Sequence, residues 1–231
     1  MDGRKVYYSF HEMPMGYRDN YGGDYVTNAG RPGIKFSRIE ATHMLIAMAT
    51  LTLAFSFAFV PHPPLAHLTS AIKNIPFSFL AITTAFFCHE TAHKYMGQKY
   101  GYWSEFRMFP QGLLFALFLA VTVGIVFAAP GAVQIWGSPN REESGKISAA
   151  GPLTNILLSI LFILVGLSSG GAVAYIALFV AYINAFLAFF NLLPFGPMDG
   201  LKVFRWKKEV WGMLIIISIA LFVMLLRMFN V

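Results

Sequence analysis

Cysteine is almost absent from this sequence of 231 residues, because Cys88 is its only example. This excludes an internal disulfide and any cysteine-rich zinc cluster. Charge is also scarce, since Asp, Glu, Lys and Arg together make up 12% of the chain while hydrophobic residues make up 57%. Soluble domains carry roughly a quarter charged residues. The composition therefore predicts an integral membrane protein.

The first 40 residues lack any long apolar run. They are polar and rich in Gly, Tyr and charge, so we expect neither a cleavable signal peptide nor a spanning helix there. The chain is therefore divided into a polar solvent-side tail, residues 1–40, and a membrane-embedded domain, residues 41–231. The net charge is +6, but no basic stripe with stacking aromatics accompanies it, so nucleic acid is not an expected partner. The lipid bilayer is an expected partner.

Six apolar stretches are long enough to span a hydrocarbon core of about 30 Å. They lie near residues 41–60, 75–96, 112–130, 149–168, 172–193 and 210–229. If all six crossed the membrane, the 17 Lys and Arg would divide almost evenly between its two sides. If 112–130 enters and returns, all of them except Lys73 and Arg227 fall on one side, which is the bias that membrane proteins show.

The charge pattern therefore predicts an all-α polytopic membrane protein with about five to six transmembrane helices. Between the second and fourth stretches it predicts a re-entrant segment. An ordinary spanning helix over 112–130 remains the alternative, since its length allows one.

A metal-binding pattern, His89-Glu90-Thr91-Ala92-His93, lies inside the second apolar stretch. On a helix, residues four apart share a face, so His89 and His93 can bind one zinc ion. Glu90 lies about 100° further around the helix, where its carboxylate can reach a zinc-bound water as a general base. Ionisable residues at membrane depth usually mark a functional site. The alternative is a pair of core histidines that hydrogen-bond neighbouring helices.

A third zinc ligand is expected from the segment 191–200, where polar residues and prolines end an apolar helix. Pro194 and Pro197 leave nearby carbonyls exposed, which is tolerated at membrane depth only beside protein or a wet cavity. Asp199 supplies an oxygen ligand there. Three protein ligands and a water make a catalytic zinc site, so the cofactor predicted is one Zn²⁺ per chain. A helix N-cap for residues 201–205 is the other role open to Asp199.

These residues resemble the site-2 proteases, which are intramembrane zinc metalloproteases that cleave transmembrane substrates within the bilayer. The resemblance covers most of residues 41–210 and rests on three motifs in the same order. They are His-Glu-x-x-His at 89–93, Gly-Pro-x-x-Asn at 151–155 and Asn-x-x-Pro-x-x-x-x-Asp-Gly at 191–200. Residues 130–133 are similar to the family's segment before the second motif, where a membrane-embedded hairpin or strand is expected. The apolar insert at 112–130 departs from the family pattern.

The resemblance implies that His89, His93 and Asp199 bind zinc and that Glu90 is the general base. It also implies a substrate-binding asparagine, for which Asn191 is the first candidate and Asn155 the second. An interhelical hydrogen bond is the alternative role for either side chain. The implied substrates are transmembrane proteins, and residues 132–136 could capture an unwound substrate by adding it as a β-strand.

Other functions stay open at this point. A membrane metal-ion transporter could also place His and Asp at mid-depth, although it has little need for Glu90. A zinc protease of another membrane family would take its third ligand from a downstream glutamate, for which Glu142, Glu143 and Glu209 are available. A noncatalytic scaffold with a degenerate site is a third possible function. The sequence disfavours it, because every catalytic position of the pattern is present. The expected location is the cell membrane, with the active site nearer the cytosolic face.

Overall fold

A computed structural model of the chain describes residues 34–61, 64–126 and 130–229. In these residues, five helices are long and apolar enough to cross a membrane. The predicted all-α polytopic membrane protein is therefore confirmed. Residues 1–33 of the predicted tail lie outside the described residues, so a solvent-side role for them stays a prediction.

The elements are named here in chain order. The helices are α1 Arg38–Ala58, α2 Leu68–Ile82, α3 Cys88–Lys99, α4 Pro110–Thr122, α5 Arg141–Ser168, α6 Gly171–Asn191, α7 Asp199–Trp206 and α8 Lys208–Met228. The strands are β1 Trp103–Met108 and β2 Gly131–Trp136, and a short 3-10 turn, Pro64–His67, precedes α2.

A π turn, Thr83–Phe87, joins α2 to α3 without a break, so that Leu68–Lys99 forms one span. At its end the Cys88 N–H donates to the carbonyl of Thr83, five residues earlier. Single π turns inside α-helices are frequent at functional sites. Here the turn lies immediately before the two histidines of the predicted metal site.

Helix starts follow from local hydrogen bonding. The Ser37 side chain accepts a hydrogen bond from the Glu40 N–H and caps α1, and Asn140 forms a capping box with Glu143 at the start of α5. The first helix begins at Arg38, three residues before the boundary predicted for the tail. Glu40, which was assigned to that tail, is fully buried in α1.

The two strands pair antiparallel, with Trp103 opposite Trp136 and Met108 opposite Gly131. The segment between them therefore leaves and rejoins the sheet at the same end, where the Phe109 N–H donates to the Pro130 carbonyl at 2.9 Å. Its helix, α4, has 13 residues and extends only about 20 Å, short of a hydrocarbon core of about 30 Å. The pairing of the two strands agrees with the re-entrant segment that the charge pattern predicts.

Helix α5 lies at the centre of the site-bearing half of the molecule, where it packs against α3, α6 and α7. On the other side, α1 packs against α2, α4 and β1. A buried apolar cluster joins α1 to the π turn and to Phe106 of β1, and a second cluster joins α5, α6, α7 and α8. Helix α3 is thereby held between α5 and the sheet.

Candidate metal centre

The two histidines of α3 lie one turn apart on the same face of the helix. Both side chains are buried, and their Nε2 atoms are 3.0 Å apart. A helical spacing of four residues produces this approach without help from a loop. The predicted pair is therefore brought together by α3 itself.

Asp199 reaches the same point from the start of α7. Its Oδ2 atom lies 3.0 Å from Nε2 of His93 and 3.4 Å from Nε2 of His89. A Cβ at the next residue, Gly200, would lie 2.1 Å from the Leu192 carbonyl oxygen, so a glycine is needed for α7 to pass this close to the end of α6. The N-cap of α7 is Met198, and the Asp199 carboxylate faces the histidines.

The carboxyl of Asp199 responds to two opposed effects. Burial alone would raise its pKa, because a charge is poorly solvated there, but the adjacent His93 and His89 outweigh burial and hold the pKa below its ordinary value. The carboxylate is consequently ionised at neutral pH, which is the form that binds a metal.

The donor set fits zinc. Two imidazole nitrogens and a carboxylate oxygen are typical zinc ligands, and ligand distances of about 2.0–2.1 Å in a tetrahedron put ligand atoms about 3.3 Å apart. The three separations found are 3.0, 3.0 and 3.4 Å. Gly151 of α5 leaves room beside them, since a Cβ there would lie 2.4 Å from Nε2 of His93 and 2.6 Å from Nε2 of His89.

The other ring nitrogens point away from this centre. Nδ1 of His93 lies 2.8 Å from the Ile147 carbonyl oxygen, and Nδ1 of His89 lies 2.6 Å from Oδ1 of Asn155. Partners of this kind fix the tautomer and the ring orientation of metal-binding histidines. Both side chains therefore turn Nε2 toward Asp199.

Glu90 lies beside the metal group and is also buried. Its Oε2 atom accepts a hydrogen bond from the Val133 N–H of β2 at 3.0 Å. Because Val133 is opposite Phe106 of β1 yet gives its N–H to Glu90, this amide points away from β1. The edge of β2 that pairs with no other strand in the described residues consequently faces the metal site.

A cavity of about 740 Å³ opens onto the site. Its wall includes the three candidate ligands, Glu90 and the edge of β2, together with Asn191, whose Nδ2 donates to the Leu187 carbonyl at 3.0 Å. Asn155 is not part of this wall; it is fully buried behind His89. Substrate binding by Asn191 or Asn155 stays a prediction, and the position of Asn155 is that of a support for His89.

The three glutamates considered as alternative ligands lie elsewhere. Glu142 pairs with Lys146 on the surface of α5, Glu143 accepts from the Tyr102 hydroxyl at 2.7 Å, and Glu209 is exposed. Within the described part of the chain, the group of side chains able to hold a metal is His89, His93 and Asp199.

Three contributors were missed at the sequence level. The Val133 amide is a backbone group, which no side-chain pattern reports. Gly151 was noted only as part of a motif, and Asn184, which hydrogen-bonds Asn155, was given no role in the site. The signal available for Asn184 was its spacing of two helical turns from Asn191.

Comparison with known proteins gives one informative relative. The chain is 37% identical over 181 residues, covering 77% of this chain and 90% of the relative, to a protein of Methanocaldococcus jannaschii named "Putative zinc metalloprotease MJ0611". No family profile matches the chain. No solved structure matches it either.

Proposed function

The chain belongs to the zinc metalloprotease family of the Methanocaldococcus jannaschii relative, and from this we propose that it is an intramembrane endopeptidase of the site-2 protease type. Its proposed reaction is hydrolysis of peptide bonds within or near the transmembrane segments of membrane-protein substrates, as in regulated intramembrane proteolysis. The zinc cofactor fits the group His89, His93 and Asp199.

One observation carries the proposal: two of the three candidate metal ligands, His89 and His93, and the candidate base Glu90 lie on a helix long and apolar enough to span a membrane, and Asp199 meets them there. His89 lies inside the 32-residue span Leu68–Lys99, about 15 Å of helix before its end. Ionisable groups at such depth are expensive and are retained for function. A protease that worked only on soluble segments would have no need to place its site there.

The residues present account for the chemistry. His89, His93 and Asp199 would hold the zinc, which when bound would supply an acidified water and a Lewis acid for the scissile carbonyl. Glu90, held by the Val133 N–H, accepts the water's proton and passes it to the leaving amine. Asn191 on the cavity wall is suited to hold the substrate backbone through its amide. The buried ring contacts of His89 and His93 keep both rings aimed at one point.

Substrate capture is proposed to use the free edge of β2. A transmembrane substrate must unwind before its peptide bond can be attacked, and an unwound segment can pair with a strand edge. The outer edge of β1 is not available for this, because Glu40 accepts the Phe106 N–H there at 2.9 Å. The edge of β2 lies in the cavity, so pairing would bring the substrate backbone to Glu90.

We place the protein in the cell membrane, with the charge-rich side in the cytosol and the site nearer that side. The support is the distribution of Lys and Arg, which lie on one side except for Lys73 and Arg227 when 112–130 makes no net crossing.

The test is cleavage of a transmembrane reporter protein by purified protein, with bound zinc measured in the same samples. We expect wild type to contain zinc and cut, and Glu90→Gln to keep its zinc but lose cleavage by at least about a hundredfold. Glu209→Gln, which changes an exposed glutamate, is the matched control and should cut normally.

Two results would contradict the proposal. If folded wild-type protein contains no zinc, the proposed zinc-dependent protease activity is contradicted. If zinc-loaded wild-type protein cuts soluble peptides but no membrane-embedded reporter, intramembrane cleavage is contradicted. The assignment to the metalloprotease family would be unaffected.

A further inference from the structure

Behind His89, a fully buried chain of amide hydrogen bonds connects three helices. Oδ1 of Asn155 lies 2.6 Å from Nδ1 of His89, and Nδ2 of Asn155 donates to the Ala85 carbonyl at 2.9 Å and to Oδ1 of Asn184 at 3.3 Å. Nδ2 of Asn184 in turn donates to Oγ1 of Thr84 at 3.0 Å. Both asparagines have no solvent exposure.

The direction of every bond in this chain is fixed by a backbone carbonyl, which can only accept. The Ala85 carbonyl requires the NH₂ end of Asn155, so the oxygen end must face His89. Nδ1 of His89 must then carry the proton, and Nε2 is left with its lone pair for the metal. The orientation of one amide thus selects the tautomer of a zinc ligand.

Asn184 is locked in the same way. Its NH₂ end faces the Val180 carbonyl at 2.9 Å, which leaves its oxygen to accept from Asn155. The hydroxyl of Thr84 lies 3.1 Å from the Leu80 carbonyl and 3.0 Å from the Ala81 carbonyl, so its proton is engaged and its oxygen accepts from Asn184. No bond in this set can be reversed without leaving a buried polar group unpaired.

The π turn provides the two anchors of the chain. Thr84 and Ala85 both lie inside Thr83–Phe87, one turn before His89, and they present a hydroxyl and a carbonyl to the amides arriving from α6 and α5. The turn therefore ties the start of α3 to both neighbouring helices at the level of the metal group.

We infer that Asn155 and Asn184 are positioning residues that set the tautomer and ring orientation of His89 and thereby the zinc affinity of the site. Asn155 acts directly on the ring, and Asn184 acts by holding Asn155. The inference rests on the zinc site of the proposed function but concerns metal binding alone. The competing reading is that both amides merely join helices.

A measurement of zinc affinity distinguishes a positioning role of the two asparagines from a role in joining helices alone. We would measure it by competition with a chelator of known affinity, in purified wild type and in Asn155→Ala, Asn184→Ala and Ser159→Ala. Ser159 is the matched control, because it is equally buried one turn along α5 and also bonds α6, through the Ala181 carbonyl at 2.9 Å, without contacting the histidines.

Asn155→Ala should weaken zinc binding by about 10–100-fold, the usual effect of losing a partner of a metal-binding histidine. Asn184→Ala should weaken it by less, and Ser159→Ala should leave it unchanged. Asn155→Asp retains an oxygen acceptor for His89, so its affinity should lie nearer wild type than that of Asn155→Ala. Equal affinities in Asn155→Ala and Ser159→Ala would overturn the inference.

A second measurement uses the wild-type protein, so its result does not depend on whether the asparagine variants fold. In zinc-loaded protein labelled with ¹⁵N-histidine, and with His89 assigned by its loss in His89→Gln, the nitrogen shifts should show a proton on Nδ1 and metal on Nε2. Metal on Nδ1 would overturn the inference while leaving a zinc protease intact. Failure of wild type to bind zinc would instead overturn the proposed function and this inference with it.

Discussion

Gly151 lies where the two histidine rings leave no room for a side chain. A Cβ there would lie 2.4 Å from Nε2 of His93 and 2.6 Å from Nε2 of His89, which are the atoms that face the metal. We expect Gly151→Ala to push both rings off the ligand positions and to weaken zinc binding by about tenfold or more, as displaced ligand rings do. The measurement is zinc content after dialysis against a weak chelator.

The control for this substitution is Gly212→Ala. Gly212 lies in α8, and in the described residues a Cβ there would meet no atom within 4 Å beyond the neighbouring backbone of its own helix. Alanine is also the better helix former. This variant should bind zinc like wild type and unfold at the same or a slightly higher temperature. Normal zinc binding by Gly151→Ala would contradict the position assigned to the metal.

At this scale the sequence was informative where function depends on helical spacing. His89, Glu90 and His93 could be predicted because a four-residue interval fixes their geometry on any helix. Asp199 required a guess about which distant segment returns to the site. The partners of His89 could not be derived, since Asn155 meets that ring only through the packing of α5 against α3.

Among the elements, α1, α3 and β1 are joined by a buried ion pair. Nζ of Lys94, fully buried on α3, donates to Oε2 of Glu40 and to the Ser104 carbonyl, both at 2.7 Å. The other carboxylate oxygen accepts the Phe106 N–H of β1. Since Lys94 directly follows His93, this pair holds the sheet against the helix that carries the metal ligands.

Breaking that pair should be costly. Lys94→Met leaves the Glu40 charge buried without its cation, and we expect a loss of about 3–5 kcal/mol in the free energy of unfolding. Adding Glu40→Gln removes the unpaired charge and keeps an oxygen for Phe106, so the double variant should recover much of this loss. Denaturant titration of the detergent-solubilised protein is the measurement.

The comparison is Lys146→Met, which breaks the solvent-exposed pair with Glu142. Solvent screens both charges of an exposed pair at this helical spacing, so its loss should leave the free energy of unfolding almost unchanged. If Lys94→Met and Lys146→Met unfold alike, the Glu40 pair does not hold these elements together.

The edge of β2 yields a second test among the elements. Successive amides alternate in direction along a strand, so the Ile135 N–H points the same way as that of Val133, away from β1. Proline at 135 therefore removes a donor from the free edge without removing a bond between the strands. We expect Ile135→Pro to raise KM for a transmembrane substrate about three- to tenfold, the effect of one lost hydrogen bond.

Ile135→Val is the control for the side chain, and zinc content should be unchanged in both variants. A KM for Ile135→Pro equal to that of Ile135→Val would count against substrate pairing at this edge. A loss of zinc would indicate damage to the metal site. A change in KM would then reflect that damage and not substrate pairing.

Elements were predictable from the sequence to the extent that their signals are local. Long apolar runs located the spanning helices, and β2 fell where a strand was expected. β1 was missed, because its six residues pair with a strand more than twenty residues later, beyond the apolar stretch 112–130, and not across a short hairpin turn. The charge of Lys94 was counted with a solvent-side connection, because no pattern near Lys94 in the sequence predicts its ion pair with Glu40.

For the whole molecule, the division into sides follows from the sheet. Because Met108 pairs with Gly131, the chain returns from α4 to where it left, and the connections on either side of this excursion belong to the same side of the membrane. Six full crossings would instead put residues 99 and 138 on opposite sides. The charge distribution alone favours the first arrangement, and the pairing of β1 with β2 gives its structural cause.

Cysteine labelling can decide between these arrangements, because the chain has a single cysteine to remove. In a Cys88→Ala background, we would place one cysteine at each of four exposed positions, by Lys99→Cys, Ser138→Cys, Gly170→Cys and Lys207→Cys. A membrane-impermeant maleimide applied to sealed, oriented vesicles should reach 99, 138 and 207 from one side and 170 from the other. Labelling of 99 and 138 from opposite sides would mean that residues 112–130 cross the membrane. The sheet could not then form as described, because Met108 and Gly131 could not be neighbours.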